Sequence, residues 1–366
     1  MLVIADSTRP SISAFIGVLE SAGGRESACR ASMLRIDCTV ITEMNPAHAQ
    51  ETRPVATPPH APERGWAARL LGDFHVTGLF WYRFHRWAVA KFPEWALAPV
   101  VAIFTAFFFV TILQIRRAIA SNLVPVLGPA GWLERQRRIF RTMHAFAWCL
   151  TERYERLVTD RPFEVEVEAI EHWNAVAQAG RGFIMVTAHL GHYDVGSMLA
   201  SVRKVRHVHL VREPEVDPRA QAFMQQCVAS TQGTHYTMHF QNGDPLQGVA
   251  LAEALSRGEI VAIQADRPRS GGRTVDATLF GRPFSLPAGP AALARTAGVP
   301  MLPVFALRAG RRRLRVVLRA PIDVPRTAHR NADLAAAMRR VAGEIETGIR
   351  LAPHQWFVFR ELWPRA

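Results

Sequence analysis

The apolar run Phe183 to Val186 is followed by Thr187, Ala188, His189, Leu190, Gly191, His192, Tyr193 and Asp194. So short a run reads as a buried strand. It delivers an imidazole at its end and a carboxylate five positions later. Such a pair suits attack of an alcohol on a carbonyl: the hydroxyl must lose its proton, and an imidazole with a pKa near ~6.5 accepts it. A carboxylate on the other ring nitrogen fixes the tautomer and stabilises the imidazolium that forms. Gly191 lets the chain turn tightly between the two. Taken alone, His-x4-Asp arises often by chance, and two other readings stay open. His189 could cap the following helix, or His189, His192 and Asp194 could ligate a metal, although no further ligand cluster of familiar spacing stands beside them. A serine-hydrolase centre has no support, because the chain lacks a Gly-x-Ser-x-Gly elbow.

Elements further along must position these groups. Strands are expected at 163–168, 182–188, 206–211, 259–265, 300–308 and 313–319. Helices are expected near 170–178, from about 194, around 217–228, and at 246–257, 288–298 and 332–350. Strands alternating with helices imply an α/β fold with a central, mostly parallel sheet flanked by helices. In such sheets, sites form beyond the carboxyl ends of the strands. His189 follows one strand, Arg212 another, and Asp266 a third. Beyond Asp266 come Arg267, Pro268, a glycine turn with Arg273, then Val275, Asp276, Phe280, Gly281 and Pro283. Gly289 to Ala294, Met301 to Leu307, Pro353-His354-Gln355-Trp356-Phe357 and Phe359-Arg360 complete the pattern.

From about Trp66 to Pro364, the order and spacing of these motifs resemble the bacterial lipid A biosynthesis acyltransferases, the lauroyl/myristoyl transferase branch of the lysophospholipid acyltransferase superfamily. The resemblance implies transfer of a fatty acyl group from an acyl-carrier-protein or coenzyme A thioester to a hydroxyl of a membrane glycolipid, first of all a lipid A precursor. No cofactor is implied beyond that co-substrate, and no metal. His189 and Asp194 match the family's catalytic histidine and acidic residue, with His189 as general base and Asp194 orienting it. Arg212 matches an arginine after the next strand and is a catalytic candidate for contact with an oxyanion or phosphate. Asp266 matches an aspartate beyond the 259–264 strand. Asp266, Arg267 and Arg273 are candidates for substrate binding, Asp266 by positioning one of the arginines; surface ion pairing is the plain alternative for each arginine. The family more often has Gly-Asn-Trp-Glu where this chain has Gly191-His192-Tyr193-Asp194. The implied partners are acyl carrier protein, a membrane lipid acceptor and an anionic membrane surface, and the implied place is the cytoplasmic side of a bacterial inner membrane. Another acceptor, such as an aminolipid, a different glycolipid or a polyene head group, fits the same chemistry. A non-catalytic, basic membrane-binding protein is the alternative from another class.

Composition agrees with such partners. Of 366 residues, 44 are basic and 31 acidic, a formal net charge of +13, and all basic residues but Lys91 and Lys204 are arginine. An always-charged surface of this kind favours anionic headgroups. Nucleic acid is not expected, since zinc-finger spacing and aromatic–basic RNA-binding signatures are missing. Four scattered cysteines, Cys29, Cys38, Cys149 and Cys227, form no Cys-x-x-Cys pair and suit reduced thiols.

Three regions are expected. Residues 1–62, rich in small polar residues and proline, read as disordered or as preceding a true start at Met44. Residues 63–122 read as membrane-associating: aromatics and arginines mix from Trp66 to Lys91, as at a membrane–water boundary, and Ala96 to Ile115 carries no charge over 20 residues. Arginines flank that stretch at both ends, so a hairpin or in-plane insertion suits it better than a simple span, while a buried core helix is the alternative. Residues 123–366 form the α/β domain, opened by a long amphipathic helix from Gly131 to Leu157.

Overall fold

The computed structural model describes residues 79–363 apart from 160, 194–205, 215–217, 232–235, 241–245 and 268–271. The expectations for residues 1–62, for the aromatic segment before residue 79, for the helix from about 194 and for Asp194 itself lie outside the described residues. Among the described residues four helices come first: α1 Leu79–Lys91, α2 Glu94–Thr111, α3 Leu113–Leu127 and α4 Trp132–Val158. The α/β part then runs β1 Glu164–Glu168, α5 Ile170–Gln178, β2 Phe183–Thr187, β3 Val208–Arg212, α6 Pro218–Thr231, β4 Tyr236–Phe240, α7 Leu246–Ser256 and β5 Ile260–Gln264. After these come β6 Thr274–Leu279, β7 Arg282–Pro287, α8 Gly289–Ala297, β8 Met301–Gly310, β9 Arg313–Leu318, α9 Arg330–Leu351 and a 3₁₀ turn at Pro353–Gln355.

Seven strands form one sheet in the order β1-β9-β8-β2-β5-β3-β4. Five are parallel; β9 pairs antiparallel with β8, and β1 runs parallel to β9. The sheet is therefore mostly parallel and flanked by helices, as its near-continuous apolar strands require. Side chains alternate between its faces. Phe183, Met185, Val208, Leu210, Ile260 and Ala262 pack with Trp173 and Val176 of α5 on one side. Ile184, Val186, Val261 and Ile263 pack with α8 and α9 on the other. The fit to α9 is close: a Cβ added at Gly348 would stand 2.8 Å from the Phe305 ring.

Three elements differ from the sequence reading. The edge strand β4 was not expected. Nor was the hairpin β6–β7, which closes on Phe280 and Gly281 with φ of 52° and 72°, the mirror-image turn that matches strand twist. The uncharged stretch 96–115 is not continuous; it breaks at Ile112 (φ −104°, ψ 79°) into α2 and α3. The Thr105 and Thr111 hydroxyls donate to the carbonyls four residues back at 2.7 and 2.9 Å, a pattern that bends helices. The 18-residue α2 is long and apolar enough to cross a membrane by length and composition, and only 17% of it is buried. It therefore does not serve as a core helix. Trp95, Ile103, Phe107 and Val110 are exposed, while Leu97, Val101 and Thr105 pack inward.

Candidate active site

The register of the sheet brings the principal groups together. β2 and β5 are adjacent and parallel, with Thr187 opposite Gln264, and the Ala265 N–H still donates to the Thr187 carbonyl at 2.8 Å. Each strand is followed by one alanine and then by a polar residue, so His189 and Asp266 emerge at the same height beyond neighbouring carboxyl ends. Asp266 Oδ1 stands 2.6 Å from His189 Nδ1, and its Oδ2 accepts the His189 backbone N–H at 3.0 Å. The indole N–H of Trp356 donates to the same Oδ2 at 3.1 Å. Asp266 is fully buried, whereas the His189 side chain keeps 15% of its exposure.

These contacts settle the ring's tautomer. Burial alone would raise the Asp266 carboxyl, but the charge and hydrogen bond of His189, then Arg267 and the His189 N–H, outweigh it and hold the carboxyl well below its usual range. An ionised carboxylate only accepts, so Nδ1 carries a proton, and in the neutral form of the ring the lone pair is then on Nε2. Arg267 Nε lies 3.2 Å from Nδ1. With that nitrogen protonated the approach is an electrostatic contact rather than a hydrogen bond, and its effect falls on Asp266.

The turn after His189 is fixed along its length. Gly191 (φ +59°) donates its N–H to the Gln355 carbonyl at 2.9 Å, and a Cβ there would lie 2.4 Å from the Ala306 carbonyl oxygen. His192 does not join His189. It is buried, its N–H donates to Ala306 O at 2.7 Å, and its Nε2 meets Glu152 Oε2 of α4 at 2.8 Å. Arg308 reaches the same Glu152 carboxylate at 3.0 Å. Among the described residues no group of three or more His, Cys, Asp or Glu is arranged to hold a metal ion.

His189 lines a cavity of about 610 Å³, within the range of small-molecule sites. Arg212, Arg267 and Arg273 line it too, as does Arg330 from the first turn of α9, which sequence reasoning did not single out. Glu213 lines the same cavity. Leu251, Leu293 and Leu334 supply an apolar side. The structure thus brings together five of the six candidates, His189, Arg212, Asp266, Arg267 and Arg273, with Asp266 directly on the imidazole; Asp194 is the one outside the described residues. A separate apolar cavity of about 130 Å³ lies among α1, α2 and α4, lined by Phe84, Val101, Phe104, Phe108, Met143 and Phe146. The half-buried His85 lines it as well; desolvation lowers its pKa to about 4.

Two comparisons bear on this geometry. The profile of the family described as bacterial lipid A biosynthesis acyltransferase matches residues 71–365. Among curated proteins, the chain is 24% identical over 205 residues to a phosphatidylinositol mannoside acyltransferase of Mycobacterium tuberculosis strain ATCC 25618 / H37Rv, and equally so to that of strain CDC 1551 / Oshkosh. The match takes in 56% of this chain and 61% of each of those proteins.

Proposed function

The chain belongs to the bacterial lipid A biosynthesis acyltransferase family, and we propose that it transfers a fatty acyl group from a thioester to a hydroxyl of a membrane glycolipid with His189 as general base. The observation that carries this reading is the His189 Nδ1–Asp266 Oδ1 contact at 2.6 Å beside the cavity. With Nδ1 committed to Asp266, Nε2 takes the proton of the acceptor hydroxyl. The oxygen attacks the thioester carbonyl carbon, and the carbonyl becomes an oxyanion. Its collapse re-forms the C=O, breaks the C–S bond and releases a thiolate, which recovers the proton from Nε2. The products are an ester and a free thiol.

Asp266 holds the ring in one tautomer and stabilises the imidazolium, the role the sequence had given to Asp194. Arg267, in contact with the imidazole, and Arg212 are placed in our scheme to receive the oxyanion or a substrate phosphate; Arg273 and Arg330 supply further positive charge. The acyl chain lies against Leu251, Leu293 and Leu334. The donor is an acyl carrier protein or coenzyme A thioester, for which the basic wall is suited. The acceptor is a lipid A precursor, in keeping with the family. The relatives act, by name, on a phosphatidylinositol mannoside, and this favours a second acceptor class, a mannosylated phospholipid. Purified protein in detergent, given an acyl carrier protein thioester and each acceptor, should yield an acceptor heavier by one acyl residue in mass spectra. Absence of acylated product with every acceptor and both donors contradicts the reading.

We also propose that the protein docks on the cytoplasmic face of a bacterial inner membrane with α2 lying in the membrane plane. Glu94, at the start of α2, pairs with Arg161 and Arg312, and Arg312 also holds Glu155 near the end of α4. At the other end Phe109 packs on Phe140, and Arg116 of α3 donates to Gln136 at 2.7 Å. α2 thus runs antiparallel to α4, whose charges, from Glu134 to Arg156, extend along its length. Carrying those charges through hydrocarbon is costly; laying the Ile103–Phe107–Val110 face in the interface is not. Burying an Ile or Phe side chain contributes about 1.5–3 kcal/mol. Ile103→Glu with Phe107→Glu should therefore lower the partition coefficient onto anionic vesicles by more than about tenfold. Unchanged co-sedimentation would count against the docking face.

A further inference from the structure

We infer that Trp356 is a positioning residue for the dyad, its indole N–H fixing the Asp266 carboxylate so that Oδ1 meets the imidazole. The inference rests on the proposed role of His189 and adds a residue to which that role assigns nothing. Three donors converge on Asp266 and divide its oxygens: Oδ1 faces His189 Nδ1, while Oδ2 takes both the His189 backbone N–H and Trp356 Nε1. The first two come from His189 itself and move with it. Trp356 supplies the remaining hydrogen bond, from outside the loop that carries the base, and so ties the carboxylate's rotation to the body of the fold.

The indole is itself anchored. Trp356 is 3% exposed and packs beside the rings of Phe280 and Trp363, with centroids 6.3 and 6.4 Å away. A buried indole N–H needs a partner, and Asp266 provides it. The residues on either side clamp the same loop. Phe357 N–H donates to the His189 carbonyl at 2.7 Å, Gly191 N–H donates to the Gln355 carbonyl, and Leu190 and Trp356 form an antiparallel bridge. The Gln355 side chain in turn pairs with both backbone groups of Arg308 at 2.8 and 2.9 Å. The segment from Gln355 to Phe357 therefore holds the histidine through its backbone and the aspartate through one side chain. A residue 90 positions from Asp266 is in this way part of the site's geometry.

Trp356→Phe deletes the donor and keeps a ring in the pocket. Replacing Trp356 with β-(3-benzothienyl)alanine exchanges the N–H for sulfur at nearly constant shape, and covers the case in which the phenylalanine variant fails to fold. Loss of a hydrogen bond to a charged group predicts a kcat lower by roughly tenfold to a hundredfold. KM for the thioester should stay within about twofold, since no substrate contact is lost in this scheme. The downfield proton resonance of His189 Nδ1–H should move upfield or broaden in the folded variant, a change that a merely space-filling role would not produce. Unchanged kcat together with an unchanged resonance in the benzothienyl protein would overturn the inference. A His189→Ala protein assayed in parallel separates the two failures: if that variant is inactive while both Trp356 variants are normal, only the role of Trp356 falls. If it is active, the base assignment falls first.

Discussion

His189→Ala lowers kcat/KM for acyl transfer by at least about 10²–10⁴-fold, the range that a positioned general base contributes. The loss belongs to kcat more than to KM, because the imidazole acts on the hydroxyl as it becomes nucleophilic. Stability should fall as well, by about 1–3 kcal/mol, since Asp266 loses one partner of its buried carboxylate. It keeps the Trp356 indole N–H and the backbone N–H of residue 189, so the fold survives. Steady-state kinetics with thermal melts would separate the two effects. A folded variant with near-normal turnover would remove His189 from the chemistry.

Asp266→Asn is the second large effect, and it works through the proton's location. An amide in place of the carboxylate can donate to Nδ1, which favours the tautomer with the proton on Nε2 and leaves no base facing the hydroxyl. In a serine-protease triad the corresponding carboxylate-to-amide exchange costs about 10⁴ in kcat, and a loss of that order is expected here. The same substitution changes the acid side of the stability curve. In the folded protein the Asp266 carboxyl is depressed, because its cationic and hydrogen-bonding neighbours outweigh burial. A depressed carboxyl contributes stability that is fully present above its unfolded pKa of about 3.9 and is lost as pH falls through the folded value. Denaturant melts should show wild-type stability dropping below about pH 4, with a shallower drop in the asparagine variant. Equal acid slopes would mean that Asp266 is not held ionised by the site.

Much of the scaffold is legible in the chain because it is buried on both faces. Phe183 to Val186 and Ile260 to Ile263 are apolar without interruption, and both form central strands. Edge elements carry less signal. Tyr236–Phe240 alternates with Thr237 and His239, and it pairs with one neighbour, β3. The hairpin turn at Phe280-Gly281 lacks the Asn-Gly signature expected of such turns; in its place Glu346 accepts the Phe280 N–H, and Arg350 stacks over the ring at 4.9 Å. The break at Ile112 leaves no proline or glycine to announce it.

The site divides in the same manner. His189 stands out as the imidazole ending an apolar run, but its partner across the sheet is 77 residues away. A signal for that pairing exists: both central strands end, one alanine later, in a polar residue, and parallel neighbours in register bring such positions side by side. Proximity in sequence points to Asp194, which lies outside the described residues. Trp356 could be recognised as part of a motif, but its bond to Asp266 depends on the C-terminal segment returning to the sheet, which no local pattern encodes. Arg330 had no cue at all, since an arginine at a helix start resembles a solvated charge.

The central claim is that His189 and Asp266 act as one proton-transferring unit, and a double-substitution cycle in single-turnover acyl transfer tests it most directly. Rates would be measured for the wild type, His189→Ala, Asp266→Asn and the combined variant, each shown to be folded. If the two residues form a unit, the combined variant is no slower than His189→Ala alone. Losses that multiply across the two sites would show that the residues act independently and would contradict the account.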